Sequence, residues 1–170
     1  THRGSSAASD VYKRQLKFIG SDVERVHLVP PPSFNRWIEK HLILADTGIR
    51  HTSGDLHSGV WSRYDEVLPH LMDIRQSGRD MAAAVQRDDR FNVCAAMNAY
   101  SDAVGRLDPS LNEPYQMLVG MKDVLAWKGM GAAGGGFVGI ISRNPEATKE
   151  AIPWSVLDWK IDTEGLVFTE

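Results

Sequence analysis

The 170-residue chain has a single cysteine, no long apolar run and no excess of positive charge. A lone Cys94 excludes an internal disulfide and a zinc site built on several thiolates, and its apolar neighbours predict a buried thiol in a helix. No apolar run approaches the roughly 20 residues that a membrane-spanning helix requires. A net charge of -3 gives no general electrostatic reason to bind nucleic acid or an anionic membrane. We therefore expect a soluble, cytoplasmic protein without a nucleic-acid or membrane partner.

The beginning of the chain lacks a methionine, and the first one is Met72. Residues 5–15, SSAASDVYKRQ, back-translate codon by codon into a run that resembles the transposon adapter used to prepare short-read sequencing libraries. An ordinary Ser/Ala-rich tail would explain the composition but not an unbroken run of matching codons. We therefore expect residues 1–15 to be a disordered, non-native tail. On this interpretation the protein proper begins at Leu16, inside its gene, and the sequence upstream has been lost.

The pattern of apolar residues changes from strands to helices and back along the chain. With 42% hydrophobic residues the chain can bury one core, so we expect one domain. β-prone runs predict strands before the helices, at residues 16–19, 26–29 and within 39–46. Helical periodicity then extends from about residue 56 to 126, with Asp65 and Asn112 as predicted N-caps and an amphipathic helix at 115–127 as the last of the group.

After the helices the sequence returns to strand character. It predicts a strand, a short helix and a terminal hairpin, at residues 137–142, 145–152, and 157–161 with 166–168. Helices grouped between separated strands favour an α+β fold, in which a mostly antiparallel sheet carries a group of helices packed on one face.

Glycine is concentrated in one stretch, since six of the 15 glycines lie between residues 127 and 141. Gly129, Gly131 and Gly134 form a literal Gly-x-Gly-x-x-Gly, but a dinucleotide site needs that pattern between a strand and a helix. Here the predicted helix comes first and the strand follows, and no P-loop Lys-Ser/Thr is present. A helix C-cap would need one glycine. The others indicate close approach of the backbone to a ligand or another loop, or a row of N–H groups lining an anion site.

Residues 128–137, KGMGAAGGGF, followed by an apolar strand, resemble the third motif of the GHMP kinases (galactokinase, homoserine, mevalonate and phosphomevalonate kinases). That motif runs Lys-x-x-Gly-Ala-Gly-x-Gly-Gly before a strand. Residues 42–50, LILADTGIR, are similar to a strand of the sugar-kinase branch, which includes heptose 7-phosphate, fucose and galactose kinases. Lys17-Phe-Ile and the predicted terminal hairpin fit the same order. The resemblance covers nearly all of residues 16–170.

The resemblance implies the carboxy-terminal, ferredoxin-like domain of a GHMP kinase at residues 16–170, with the last strands of the amino-terminal domain at 16–45. The parent enzyme would transfer the γ-phosphoryl of ATP, with Mg²⁺, to a sugar or sugar phosphate, and such an enzyme can be a homodimer. Its main ATP loop and catalytic aspartate would lie upstream of Leu16. This fragment would therefore contain no catalytic residue and would be inactive alone.

Two groups of residues receive roles from the resemblance. A glycine-rich loop would pack against the missing phosphate loop on the ATP side; its members are Gly131, Ala132, Ala133, Gly134, Gly135 and Gly136. Thr47, Gly48 and Arg50 would line the substrate side. Ala133 stands where the family has glycine, and at a positive φ it would cost about 1 kcal/mol. Asp46 replaces an aromatic residue that often precedes Thr-Gly.

Other functions also fit parts of the sequence. The glycine loop could serve only close packing in a non-catalytic α+β binding module, or a nicotinamide-dependent oxidoreductase could use it as a cofactor loop. His51, His57 and His70 lack the spacing of a zinc helix, so we predict no metal site. Serines near these histidines lack a Gly-x-Ser-x-Gly elbow and are interpreted as helix caps.

Overall fold

The structure is a computed structural model that describes residues 14–50 and 59–161. Its first elements are β1 (Arg14–Ile19), β2 (Asp22–His27), α1 (Pro32–His41) and β3 (Leu42–Asp46). Two long helices, α2 (Tyr64–Gln86) and α3 (Arg90–Leu107), lead into short 3-10 helices at Pro109–Leu111 and Glu113–Leu118. The chain continues with β4 (Val124–Gly129), β5 (Phe137–Ser142), α4 (Pro145–Ala151) and β6 (Ser155–Leu157). The predicted α+β fold class is confirmed.

The main sheet has four antiparallel strands in the order β4-β5-β3-β6. β5 lies centrally and pairs Ile140 with Ile43 of β3 and with Trp127 of β4. Its sequence, FVGIIS, is almost continuously apolar, as expected of a strand buried on both faces. β1 and β2 form a separate hairpin around a turn at residues 20–21.

Two hydrophobic clusters lie against the sheet, and successive strand residues contribute to different clusters because strand side chains alternate between faces. Ile140 belongs to the larger cluster, with Tyr115 and Trp127, whereas the next residue, Ile141, packs with Phe34 of α1 and Met97 of α3. Helix α3 packs along β4, where its Ser101 hydroxyl donates to the carbonyl of Trp127 at 2.5 Å. None of the helices in the described ranges combines the length and hydropathy needed to cross a bilayer.

The predicted helix at 115–127 is wrong. The chain forms a 3-10 helix at Glu113–Leu118, turns at Gly120 with a φ of +82°, and enters β4 at Val124. The apolar residues have helical spacing, but those at the end of the segment pair with β5 instead of continuing a helix. The glycine-rich loop therefore joins two antiparallel strands, and the interpretation of its first glycine as a helix C-cap is wrong as well.

Other boundaries also differ from the prediction. Helix α1 was missed, although Pro32 at its start and the spacing of Phe34, Trp37 and Ile38 are helical signals. The second strand begins at Asp22 and ends at His27 rather than spanning 26–29. At the end of the described chain the strand is Ser155–Leu157, with no strand at 158–161. The predicted partner strand at 166–168 lies outside the described residues.

The N-cap of helix α3 is a different residue from the two N-caps that the sequence predicted. Neither Asp65 nor Asn112 caps a helix through its side chain: Asp65 lies in the first turn of α2, and the Asn112 amide donates to the carbonyl of Ser101 at 2.6 Å. The cap of α3 is instead Asp89, whose carboxylate accepts from the Asn92 N–H at 3.1 Å. Cys94 lies in α3 as predicted, although it is only partly buried.

Candidate functional site

The candidate site is built around the glycine loop, residues 130–136, which connects β4 to β5. Five of its residues have a positive φ, a conformation that glycine adopts without steric cost. The values are Gly131 63°, Ala133 61°, Gly134 72°, Gly135 140° and Gly136 64°. The density of glycine thus has a local conformational cause. Of these five loop residues, Ala133 is the one that carries a side chain.

The backbone of the loop is held by three separate segments of the chain. The Gly134 N–H donates to the carbonyl of Leu111 at 2.8 Å, and the Gly136 N–H donates to the carbonyl of Ile49 at 2.8 Å. The Gly135 N–H donates to the Tyr115 hydroxyl at 3.0 Å. These N–H groups are occupied within the chain and do not form a row of free donors for an anion. The close approach that the glycines allow is to other parts of this chain.

Tyr115 is the main support of the loop. Its side chain is fully buried, and its hydroxyl donates to the carbonyl of Gly135 at 2.5 Å while accepting from the N–H of the same residue. Its ring packs against Trp127, with 5.5 Å between the ring centroids. Burial raises the pKa of the Tyr115 hydroxyl, so it remains a neutral donor. Sequence reasoning missed this residue because it placed Tyr115 at the start of a helix.

Thr47 and Gly48 lie directly beside the loop. The Thr47 N–H and hydroxyl both donate to the carbonyl of Gly136, at 2.9 and 2.8 Å. Gly48 has a φ of +71° and donates its N–H to the Asp46 carboxylate at 2.9 Å. The two groups of residues that the resemblance singled out are therefore in contact. Arg50 follows as an exposed residue whose guanidinium has no ion pair within the described part of the chain.

A lysine at the start of the loop has an unusual environment. The Lys128 ammonium lies 4.3 Å from the centre of the Tyr100 ring, and no carboxylate of the described residues lies within ion-pair distance. Burial lowers the pKa of Lys128, because desolvation disfavours the charged form. A partly buried cation that lies over an aromatic ring and has no ion pair among the described residues can accept an anionic partner. Sequence reasoning recognised Lys128 as part of the motif but gave it no role.

An apolar cavity of about 240 Å³ lies on the helix side of the loop. The backbone of residues 131–133 forms one wall, and Tyr100 and Val104 of α3 with Leu71 of α2 form the others. The Gly131 and Ala132 N–H groups have no acceptor among the described residues. They are the loop donors that remain available to a bound group.

We expect the positive φ of Ala133 to be measurable as strain. Changing Ala133 to glycine relieves about 1 kcal/mol of backbone strain but removes a buried methyl group, whereas Ala132→Gly removes a methyl group without relieving strain. Because the Ala133 methyl group is the more deeply buried of the two, part of this gain is offset, and the Ala133→Gly variant should be about 0.5 kcal/mol more stable than the Ala132→Gly variant in urea unfolding. An Ala133→Gly variant that is less stable than the Ala132→Gly variant would show that Ala133 is unstrained.

Of the three histidines considered as metal ligands, His70 is the one that lies in the described part of the chain. His51 and His57 lie outside the described residues. His70 is on α2, and its Nδ1 atom is buried without a hydrogen-bond partner. Among residues 14–50 and 59–161, no group of three or more His, Cys, Asp or Glu side chains is placed to hold a metal ion.

Comparison with protein-family models and with curated protein sequences finds no match. Solved structures do match: a protein from Campylobacter jejuni named as a candidate sugar kinase has a TM-score of 0.59 and 17% identity, and 94% of this chain covers 46% of it. A D-glycero-D-manno-heptose 1-phosphate kinase from Bacteroides thetaiotaomicron has a TM-score of 0.57 and 14% identity, with 85% of this chain covering 40% of it.

A third solved structure, the Lin0012 protein from Listeria innocua, has a TM-score of 0.54 and 14% identity, with 80% of this chain covering 42% of it. The chain thus spans less than half the length of each of these proteins. At such low identity the likeness establishes a shared fold, which is the fold of part of two proteins named as sugar kinases.

Proposed function

We propose that this chain is the carboxy-terminal part of an ATP-dependent kinase of the GHMP type that phosphorylates a sugar or a sugar phosphate. In this proposal the main nucleotide loop and the catalytic aspartate belong to sequence that precedes Leu16. The residues described here form one wall of the phosphoryl-transfer site, where catalysis depends on positioning and electrostatics.

The observation that carries the proposal is the geometry of the glycine loop. The loop is fixed by bonds to Leu111, Tyr115 and Ile49, and it contacts Thr47, which the resemblance assigns to the substrate side. A rigid wall at the junction of these segments can hold two reactants at a constant separation. Ile49 and Phe137 beside the loop are about half exposed, at 45% and 47%, which suits a surface covered by another domain.

In this chain only a few groups can contact the phosphates of ATP, and we assign none of its residues as ligands of Mg²⁺. ATP would supply the transferred phosphoryl group. The Gly131 and Ala132 N–H groups and the Lys128 ammonium are the donors and the cation that the loop can direct at a phosphate. Because the described residues contain no cluster of three His, Cys, Asp or Glu side chains, we assign no metal ligand to them.

A non-catalytic binding module remains the second candidate, and one observation favours it. The N–H groups of Ala133 and Gly134 to Gly136 are all occupied by acceptors within the chain. A loop that serves only close packing would show the same bonding. The two candidates differ in what the preceding sequence should contain.

The decisive experiment expresses the chain together with the genomic sequence upstream of Leu16. We expect a Gly-Leu-Gly-Ser-Ser loop and an aspartate there, and ATP-dependent phosphorylation of at least one member of a sugar and sugar-phosphate panel. In that enzyme Lys128→Met should lower kcat/KM at least about tenfold, whereas Lys122→Met, at an exposed position, should leave it unchanged. A preceding sequence with neither motif would refute the kinase proposal.

Calorimetric titration of the 170-residue chain with ATP and with NAD distinguishes the kinase hypothesis from the oxidoreductase hypothesis. We expect only weak ATP binding and no turnover, because the main nucleotide loop is assigned to another segment. An oxidoreductase of this loop type would bind NAD with micromolar or tighter affinity. Tight NAD binding to this chain would overturn our proposal in favour of the oxidoreductase.

A further inference from the structure

A second cleft, of about 700 Å³, lies between the β1–β2 hairpin and helix α2. It differs from the cavity at the glycine loop because basic as well as apolar side chains line it. A volume of this size is typical of sites that bury a small organic molecule.

The α2 wall of the cleft changes in character along the helix. Leu68, Leu71 and Met72 line its first part, and Arg75 and Arg79 line its last part. Arg75 and Arg79 are four positions apart, so both side chains lie on the same face of the helix. The seven positions from Leu68 to Arg75 correspond to about 10 Å along the axis. The wall is therefore apolar at one end and cationic at the other.

The hairpin wall adds apolar surface. Leu16, Phe18 and Ile19 of β1 line the cleft, and 44%, 69% and 63% of their respective surfaces are exposed. Lys17 also lines it, but its ammonium is paired with the Glu24 carboxylate at 3.5 Å. The positive charge available to a ligand therefore comes from the α2 arginines.

The charge of the cleft is not compensated within the described chain. No aspartate or glutamate lines it, and neither Arg75 nor Arg79 has a carboxylate within ion-pair distance among the described residues. The neighbouring acids on α2 are occupied elsewhere: Asp73 pairs with Arg106, and Asp80 accepts from Gln76. The arginine end thus complements an anion.

We propose that this cleft binds an organic anion whose apolar body is about 10 Å long and whose carboxylate, phosphate or sulfonate group lies at Arg75 and Arg79. The apolar body contacts Leu68, Met72 and Phe18. Gly78 lies between the arginines in the chain and also lines the cleft. The cleft is distinct from the glycine loop, although Leu71 and Ile74 line both this cleft and the cavity at the loop.

The test compares two dyes that differ by one anionic group. The first is 8-anilinonaphthalene-1-sulfonate, and the second is its neutral counterpart N-phenyl-1-naphthylamine. We expect the sulfonate dye to bind the 170-residue chain about five- to tenfold more tightly than the neutral dye, because two exposed arginines add a modest attraction for its anionic group. Decanoate and decyl phosphate should displace it, and decanol should not.

Variants locate the binding. The double variant Arg75→Gln with Arg79→Gln should lower the affinity of the sulfonate dye to that of the neutral dye. The affinity of the neutral dye should stay the same, which would show that the fold is intact. The matched control, Arg87→Gln with Arg143→Gln, removes two exposed arginines outside the cleft and should change neither. Met72→Gln should weaken the binding of both dyes. The proposal would be overturned if the arginine double variant kept the difference in affinity between the two dyes. It would also be overturned if Met72→Gln changed the affinity of neither dye.

Discussion

Replacing Gly129 with alanine is expected to lower the free energy of unfolding by about 3 kcal/mol. A Cβ atom at this position would lie 2.7 Å from Cε2, 2.9 Å from the hydroxyl and 3.0 Å from Cζ of Tyr115. The Tyr115 ring is fully buried and its hydroxyl is bonded twice to Gly135, so it cannot withdraw without breaking those bonds. Urea unfolding followed by tryptophan fluorescence would measure the loss.

Gly78→Ala is the control for this substitution. Gly78 lies in α2, a Cβ built there would meet nothing within 4 Å beyond its chain neighbours and the backbone of its own helix, and its φ is not positive. Alanine at this position should stabilise the protein by about 0.5–1 kcal/mol because it has the higher helix propensity. A Gly129→Ala variant within about 0.5 kcal/mol of wild type would mean that Tyr115 is not held as the structure describes.

Replacing Tyr115 with phenylalanine is expected to cost about 2 kcal/mol, although the ring and its packing are kept. The change removes one hydroxyl that satisfies both the carbonyl and the N–H of Gly135, a buried residue. Both groups would lose their partner, which is more costly than the loss of a solvated hydrogen bond. The N–H of Gly135 should also exchange with solvent faster, and hydrogen exchange would detect this.

Tyr100→Phe provides the comparison, since no hydrogen bond from the Tyr100 hydroxyl joins the described residues. Its unfolding free energy should stay within about 0.5 kcal/mol of wild type. If the longer enzyme is active, Tyr115→Phe should lower kcat more than it raises KM, because the loop is assigned to positioning rather than to ground-state binding. Equal stability of the two tyrosine variants would contradict the support that we assign to Tyr115.

The two substitutions concern one arrangement that sequence reasoning could not find. Gly129 and Tyr115 are 14 positions apart, and neither their spacing nor their residue types indicate contact. The reason is the unpredicted turn at Gly120, which returns the chain from the 3-10 helix into β4 and places Gly129 over the Tyr115 ring. A continuous helix at 115–127 would have separated these residues by more than three turns.

Some elements were predictable because their signals are local. β5 is a continuous apolar run after glycines, and α4 begins with Asn144 as N-cap and proline in its first turn. β3 was also found, as the apolar run before Thr47. β4 and α1 were not, because Trp127 and its neighbours have a spacing that fits either a helix or a strand, and only pairing with β5 decides between them.

The sequence by itself determined that a loop near residue 131 needs many glycines and that Thr47-Gly48 ends a buried strand, since both follow from allowed φ and from hydropathy. Only the tertiary structure decided that these segments touch, that the loop joins two strands, and that the N–H groups of residues 133–136 bond within the chain, which leaves those of Gly131 and Ala132 as the available donors. The physical reason is that hydrogen-bond partners far apart in the chain depend on how the elements pack. No local pattern of residues records that packing.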